Sequence, residues 1–235
     1  MKNVFYILIF LSFASFSNAK ADESRDLRCQ TFVPKPKVTI KARFEALEYD
    51  YSKVSKTLER LHRKDTHSEP LKGYDINGLT PYKMETSLSF NLGKKTFNDG
   101  VTCFFPVDVD LTLTLLEPKI YIARHIKKGS CWHKVTLRHE QTHEQINVEA
   151  VEYYLPFIKD RFISAVKKYS IASRPKDDLQ IEVVQESLKK KYLDAINPLL
   201  EELNDEINKE QKKLDRIEQY DFEQSLCKTN DEGLS

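Results

Sequence analysis

Residues 132–154 read WHKVTLRHEQTHEQINVEAVEYY, and this stretch contains the H-E-x-x-H motif His139-Glu140-Gln141-Thr142-His143. Two histidines four residues apart lie on one face of a helix, so both imidazoles can bind one zinc ion. The glutamate beside the first histidine can then act as the general base on a zinc-bound water. The motif therefore predicts a zinc site with His139 and His143 as metal ligands and Glu140 as the catalytic residue.

The residues around the motif favour a helix with one buried face. Ser130 follows Gly129 and is a suitable N-cap. Apolar residues and the motif histidines recur at three- and four-residue steps and fall within about 40° of His139 on a helical wheel. This stripe contains Trp132, Val135, His139, His143, Ile146, Ala150 and Tyr153. Both histidines should therefore be buried, with Glu140 at the edge of the stripe. A helix with two hydrogen-bonded core histidines is the alternative to a metal site.

The charge balance excludes some classes of partner. The 235 residues include 37 basic and 36 acidic residues, and 40% of the chain is hydrophobic. An even charge balance favours neither nucleic acid nor an anionic membrane as a partner. The hydrophobic content is sufficient for a core in one domain with an appendage.

The start of the chain is typical of a secretory signal. Lys2 precedes an apolar run at residues 4–16, and Ser17-Asn18-Ala19 supplies small residues before a cleavage site. We predict a signal peptide over residues 1–19 and export to the periplasm or the extracellular space. The apolar run is too short to span a membrane comfortably, and an uncleaved anchor helix is the alternative. No later segment predicts a membrane span.

Four widely spaced cysteines are candidates for disulfide bonds: Cys29, Cys103, Cys131 and Cys227. The absence of a C-x-x-C pair argues against a cysteine zinc site. An even count in an exported chain predicts two disulfides, and the spacing allows all three pairings. A bridge from Cys227 to an earlier cysteine would tie the C-terminal helix to the main domain.

Three segments before the motif alternate between apolar and polar residues, as strands with one buried face do. They are residues 38–51, 82–92 and 101–116. The last two are separated by a turn, so they should pair as an antiparallel hairpin. We therefore expect an α+β fold in which the hairpin packs on the motif helix and long helices follow.

The C-terminal quarter consists mainly of helix formers. Apolar residues at alternating steps of three and four predict a long amphipathic helix over residues 193–217. This stripe can pack on the chain's own domain or bind a helical partner. Pro156 should kink or end the motif helix, and Pro198 is a candidate start of a new helix.

The motif helix resembles that of a bacterial family of predicted secreted zinc-dependent proteases, a domain-of-unknown-function family. The resemblance rests on Trp132, the H-E-x-x-H motif, Ile146 and Glu149-Ala150, and it extends over residues 38–225. The family also has similar features at the places that are occupied in this chain by Tyr49-Asp50, Cys103 and Tyr220-Asp221. The chain departs from the family at Thr142, where the family has glycine, after Pro118, where it has tryptophan, and after Asp221. Residues 173–178, which include Pro175, are the best candidate linker, so we expect a zincin-like catalytic domain at residues 20–172 and a helical extension at residues 173–235 that packs on it.

The family pattern also implies Glu149 as the third zinc ligand. On a straight helix, however, Glu149 lies about 9 Å beyond His143 along the axis and cannot reach the ion. Either the helix breaks near Asn147, or another residue such as Glu182 or Glu186 completes the site.

Two functions are compatible with these patterns. The first is a secreted zinc-dependent hydrolase, acting on a peptide or protein substrate with Zn²⁺ as cofactor. The second is a non-catalytic envelope binding or assembly module that uses the C-terminal helices as a partner surface. Cleavage activity distinguishes the two.

Overall fold

The computed structural model describes residues 27–66, 73–98, 100–175 and 177–231. The predicted signal peptide over residues 1–19 lies outside these ranges. The strands are β1 (Lys37–Phe44), β2 (Glu48–Asp50), β3 (Gly78–Leu79), β4 (Met84–Thr96), β5 (Thr102–Leu115) and β6 (Lys119–Ile122). The helices are α1 (Leu27–Thr31), α2 (Ser55–Thr66), α3 (Cys131–Tyr169), α4 (Asp178–Leu214) and α5 (Ile217–Asp231). The fold is α+β, as predicted.

Two small sheets lie against the motif helix α3. The first has the order β1-β5-β4, with β4 antiparallel and β1 parallel to β5. The β4–β5 pair is the predicted hairpin, and its register places Leu88 opposite Leu111. The second sheet has the order β2-β6-β3, so β3 is an edge strand. The strand predicted over residues 38–51 is divided between the two sheets, because β1 ends at Phe44 and β2 begins at Glu48.

The main core lies between the hairpin and helices α3 and α4. Alternate residues of β5 are buried, including Val109, Leu111 and Leu113, which is the period of two expected for a strand with one covered face. Tyr192 of α4 is fully buried and makes edge-on ring contacts with Phe90 and Phe162 at 6.0 and 5.9 Å between centroids. Helices α3 and α4 thus form an antiparallel pair that covers one sheet.

Ser130 caps α3 as predicted, since its side chain accepts a hydrogen bond from the backbone N–H of His133. Neither Pro156 nor Pro198 ends its helix. A proline inside a helix removes one backbone hydrogen bond and costs about 3 kcal/mol. Burial of Val151 and Ile158 on either side of Pro156 offsets this cost. The break in the C-terminal helical region falls instead at residues 215–216, between α4 and α5.

The amphipathic stripe predicted over residues 193–217 is largely used within the chain. Its members Ile196, Leu203 and Ile207 are buried in the main core, and Leu193 and Leu200 pack against that core. Ile217, at the end of the stripe, is about half exposed. The surface considered for a helical partner therefore lies mostly against α3 and the sheet.

Two disulfides connect distant parts of the chain. Cys29 pairs with Cys103, and Cys131 pairs with Cys227. The first joins α1 to the start of β5, and the second joins the first residue of α3 to α5, tying the C-terminal helix to the main body. Two disulfides are consistent with export. Within the described ranges, no helix combines the length and the apolar character needed to cross a membrane.

The packing of Tyr192 generates a stability prediction. Tyr192→Ala should destabilise the protein by about 3–5 kcal/mol, because it removes a fully buried aromatic ring and leaves a cavity. Tyr153 is 66% exposed, so Tyr153→Ala is a matched control that should change stability little. Urea unfolding of both variants measures the difference, and equal midpoints for the two would contradict the assigned core.

Candidate metal centre

Three potential metal ligands converge at the middle of α3. The Nε2 atoms of His139 and His143 lie 3.0 Å apart. Asp215 Oδ1 lies 3.2 Å from the first and 3.0 Å from the second. Three ligands placed 2.0–2.1 Å from a tetrahedral zinc ion would be separated by about 3.3 Å. The observed triangle is close to this size, so the three side chains fit a metal ion of this kind.

The burial of the three side chains differs. His139 and His143 are only 3% and 7% exposed. The side chain of Asp215 is 36% exposed, because it comes from the turn between α4 and α5. The imidazoles thus form the buried base of the site, and the carboxylate lies on its solvent side.

Hydrogen bonds from α4 and α5 fix the orientation of both imidazoles. His139 Nδ1 lies 3.1 Å from a carboxylate oxygen of Glu223, and His143 Nδ1 contacts Gln211 Oε1. The Gln211 amide nitrogen donates to the His143 carbonyl oxygen and to Asn147 Oδ1, so its oxygen must face the imidazole. Both Nδ1 atoms therefore face acceptors and carry the proton. Metal-binding histidines are usually held in this way.

This arrangement leaves three acceptors facing one another. With the Nδ1 atoms protonated, neutral His139 and His143 direct the lone pairs of Nε2 towards each other and towards the Asp215 carboxylate. Buried acceptors without donors are strongly unfavourable. Asp215 Oδ1 has a donor in the Tyr220 hydroxyl, so it is the two buried Nε2 atoms that need either additional protons, as in an imidazolium–carboxylate cluster, or a bound cation.

The electrostatics agree with this conclusion. Burial by itself lowers the pKa of His139, but the carboxylates of Asp215 and Glu223 outweigh it and raise the pKa to about 10. The pKa of His143 is also raised, because Asp215 and Glu140 outweigh burial. Burial raises the pKa of Asp215, yet hydrogen bonds with the two imidazoles hold it well below its usual range. The site thus stabilises positive charge.

Glu140 lies beside the three converging side chains and is held by β3 and the residue that follows it. Its side chain is 5% exposed, and Thr80 donates a hydrogen bond of 2.8 Å to Glu140 Oε2. Burial raises the pKa of Glu140, whereas the two neighbouring histidines oppose this rise. A Cβ atom at Gly78 would lie 2.2 Å from Glu140 Oε1. Only glycine at position 78 allows the strand to approach this carboxylate so closely.

Tyr220 of α5 covers His139. The two ring centroids are 5.1 Å apart, and the Tyr220 hydroxyl donates to Asp215 Oδ1 at 2.9 Å. Burial and the nearby carboxylates raise the pKa of Tyr220, so the hydroxyl keeps its proton. Tyr74 supports this arrangement, since its ring packs at 5.8 Å from Tyr220 and its hydroxyl bonds Asp221. Tyr220 therefore places a hydrogen-bond donor beside the cluster.

The sequence pattern predicts some, but not all, of the residues in this cluster. The predicted His139, Glu140 and His143 lie together. The predicted third ligand, Glu149, is not placed with them, because α3 continues without a break and its exposed carboxylate accepts a hydrogen bond from Gln145. Glu182 and Glu186 are exposed near the start of α4, and neither belongs to the converging group.

Asp215, rather than the predicted Glu149, lies with the two histidines, and the sequence analysis did not single it out. It lies 72 residues after His143. The chain has 36 acidic residues, and no local motif sets Asp215 apart from the others. Only the nearby Tyr220-Asp221 pair, noted in the family resemblance, pointed to this part of the chain.

Comparisons of the chain with protein-family models, curated proteins and solved structures find no match.

The assignment of Asp215 can be tested against Glu149. Asp215→Ala should weaken zinc binding by more than the roughly 10–100-fold that loss of an outer hydrogen-bonding group causes, because it removes a ligand. Glu149→Ala should bind zinc like the wild type. Competition with a chromogenic chelator gives the zinc affinity of each variant. If Glu149→Ala binds zinc more weakly than Asp215→Ala, the third ligand is Glu149 instead.

The Cys131–Cys227 disulfide should support the site through α5. Cys227 follows Glu223 by one helical turn, so the bridge holds Glu223 and Tyr220 against His139. Replacing both cysteines by serine should weaken zinc binding by about tenfold or more, as loss of the Glu223 contact would.

The matched control for this prediction is the corresponding double serine variant at Cys29 and Cys103. The two bridges close loops of 96 and 74 residues, and each is worth about 4–5 kcal/mol by the chain-entropy estimate. Both variants should therefore lose comparable stability, but only the first should lose zinc affinity. Equal affinities in the two folded variants would refute the coupling.

Proposed function

We propose that this protein is an exported zinc-dependent peptidase. The observation that carries the proposal is the convergence of His139 Nε2, His143 Nε2 and Asp215 Oδ1, within 3.0–3.2 Å of one another, beside the buried carboxylate of Glu140. The predicted signal peptide and the two disulfides support export. The resemblance of the motif helix to secreted zinc-dependent proteases supports the activity.

His139, His143 and Asp215 would hold the ion. Two imidazoles and one carboxylate favour zinc over magnesium or calcium, which prefer ligand sets made of oxygen alone. When bound, zinc acts as a Lewis acid that polarises a carbonyl group and lowers the pKa of water. Glu223 and Gln211 keep the two imidazoles in the tautomer that a metal ion requires.

Glu140 is the general base of the proposed reaction. Its carboxylate, oriented by Thr80, accepts a proton from the attacking water and transfers it to the leaving amine. Its raised pKa suits both steps, since the carboxylate must accept the proton and then release it. Tyr220 stays protonated and, by releasing its hydrogen bond to Asp215, can donate to the oxygen on which negative charge develops.

The fold around Glu140 supports a peptide as the substrate. Strand β3 lies at the edge of its sheet, and Gly78 of this strand contacts Glu140. An extended peptide can add to an exposed strand edge through backbone hydrogen bonds. A scissile bond bound beside β3 would therefore lie next to the general base.

Metal content and cleavage test the proposal together. The wild type should bind one zinc ion per chain and cleave a mixed peptide library in a chelator-sensitive manner, and His143→Ala should lose the metal. Glu140→Gln should keep zinc but lose cleavage by a factor of at least about 10². Elemental analysis and mass spectrometry of the digests measure these two properties.

Gly78→Ala and Glu149→Gln extend this comparison. The alanine methyl group would displace the Glu140 carboxylate, so Gly78→Ala should also retain zinc and lose cleavage. Glu149→Gln changes an exposed carboxylate on the same helix and should leave both properties unchanged. A wild type that binds zinc but cleaves no peptide would favour the non-catalytic envelope module instead.

A further inference from the structure

The two disulfides have different surroundings. Cys29 and Cys103 are 1% and 0% exposed, and both form part of a hydrophobic cluster. Cys227 is also fully buried, but its partner Cys131 is partly exposed. A reductant can therefore approach the second bridge from the side of Cys131, whereas the first bridge is protected until its cluster opens.

The position of Cys131 also favours reduction of its bridge. Cys131 is the first residue of α3 and directly follows the N-cap Ser130. The unpaired backbone N–H groups at the start of a helix stabilise a thiolate. A stabilised thiolate leaves readily in thiol–disulfide exchange and favours the reduced form of the pair.

Helix α5 is held by polar contacts and by this bridge. Within the described part of the chain, none of its residues belongs to the three hydrophobic clusters. Its apolar residues Ile217 and Phe222 are 47% and 56% exposed, and its contacts with His139 come from Tyr220 and Glu223. A helix of 15 residues is marginally stable by itself. Breaking the bridge should therefore release α5 while the main core stays packed.

We propose that the Cys131–Cys227 disulfide is a redox switch for the zinc site, and that a dithiol reduces it in preference to the Cys29–Cys103 bridge. The switch rests on the proposed function, because it controls the metal on which that function depends. Zinc affinity is high in the oxidised protein and low in the reduced one.

Reduction transfers two electrons from the dithiol to the bridge. A thiolate of the dithiol attacks Cys131 Sγ, the S–S bond breaks, and Cys227 leaves as a thiolate and takes up a proton. The second thiol of the reductant then attacks the reductant's own sulfur in the mixed disulfide, which releases Cys131 as a thiolate that is protonated in turn. The products are two protein thiols and the oxidised dithiol, which has supplied both protons.

Release of α5 reaches the metal through His139. Glu223 then no longer accepts the hydrogen bond from His139 Nδ1, which holds the imidazole in the tautomer that a metal ion requires. Tyr220 no longer covers the same ring. Oxidation restores both contacts, so the complete site forms in an oxidising compartment, which agrees with export.

A redox titration tests the selectivity without reference to zinc. Each bridge is isolated in a double serine variant, Cys29→Ser/Cys103→Ser or Cys131→Ser/Cys227→Ser, and equilibrated with mixtures of reduced and oxidised dithiothreitol. The Cys131–Cys227 bridge should be half reduced at a reduced-to-oxidised ratio about tenfold lower, which corresponds to about 30 mV for a two-electron couple. Alkylation and peptide mapping of partly reduced wild type should give the same order.

Zinc affinity and hydrogen exchange test the switch itself. The wild type is reduced at Cys131–Cys227 alone, and the dithiothreitol is removed before zinc is titrated against a chromogenic chelator. The affinity should fall by about tenfold or more, and reoxidation should restore it. Backbone amides of α5 should lose protection from exchange, whereas those of α3 and α4 in the main core should keep it.

Glu223→Ala separates the route through His139 from any effect of the free thiols on zinc. Reduction should change the zinc affinity of this variant far less than that of the wild type, because the contact that reduction releases is already absent. Glu218 is an exposed carboxylate on the same helix. Glu218→Ala is therefore the matched control and should keep the full response to reduction.

The outcomes separate the switch from the proposed function. Reduction of the Cys29–Cys103 bridge at the same or a lower ratio would overturn the switch, as would loss of exchange protection throughout the protein. A zinc affinity that does not change on reduction would overturn it as well, but would leave the peptidase proposal standing. If the oxidised wild type binds no zinc, the proposed function fails and the switch fails with it.

Discussion

Three electron-pair donors, two from buried imidazoles and one from a partly exposed carboxylate, face one another in this protein, and that constraint governs the structure around them. Glu223 and Gln211 accept from the outer nitrogens of the two imidazoles, which directs the inner nitrogens towards Asp215. Such a cluster is stable only with positive charge inside it, in the form of protons or a metal ion. The arrangement could hold a metal ion.

The site depends on the way in which the two longest helices end. Helix α4 packs antiparallel to α3 and stops at the residue that faces the two histidines. Helix α5 then turns back and places Tyr220 and Glu223 over His139. The Cys131–Cys227 bridge fastens this return to the start of the motif helix. The C-terminal extension is therefore part of the site itself.

The opposite side of α3 has a different role. There, the segment from Gly78 to Tyr82 runs along the helix, first against Glu140 and then past Glu144. The first carboxylate is buried and oriented by a hydroxyl group, as suits a proton carrier. The second is partly exposed and accepts a hydrogen bond from Asn147.

Features that depend on short-range periodicity could be predicted from the residues alone. Four-residue spacing places His139 and His143 on one helical face, and two-residue alternation defines the β4–β5 hairpin. The N-cap at Ser130 is equally local. The same helical geometry made Glu149 a poor ligand, since an unbroken helix carries it away from the site.

Features that join distant segments became visible only in the folded chain. The contact of Asp215 with His143 spans 72 residues, and it depends on where α4 ends after packing along α3. The close approach of Gly78 to Glu140 and the choice among three disulfide pairings depend in the same way on how the sheets and helices meet. Such contacts have no signature in local spacing, because the chain brings the partners together only when its core has formed.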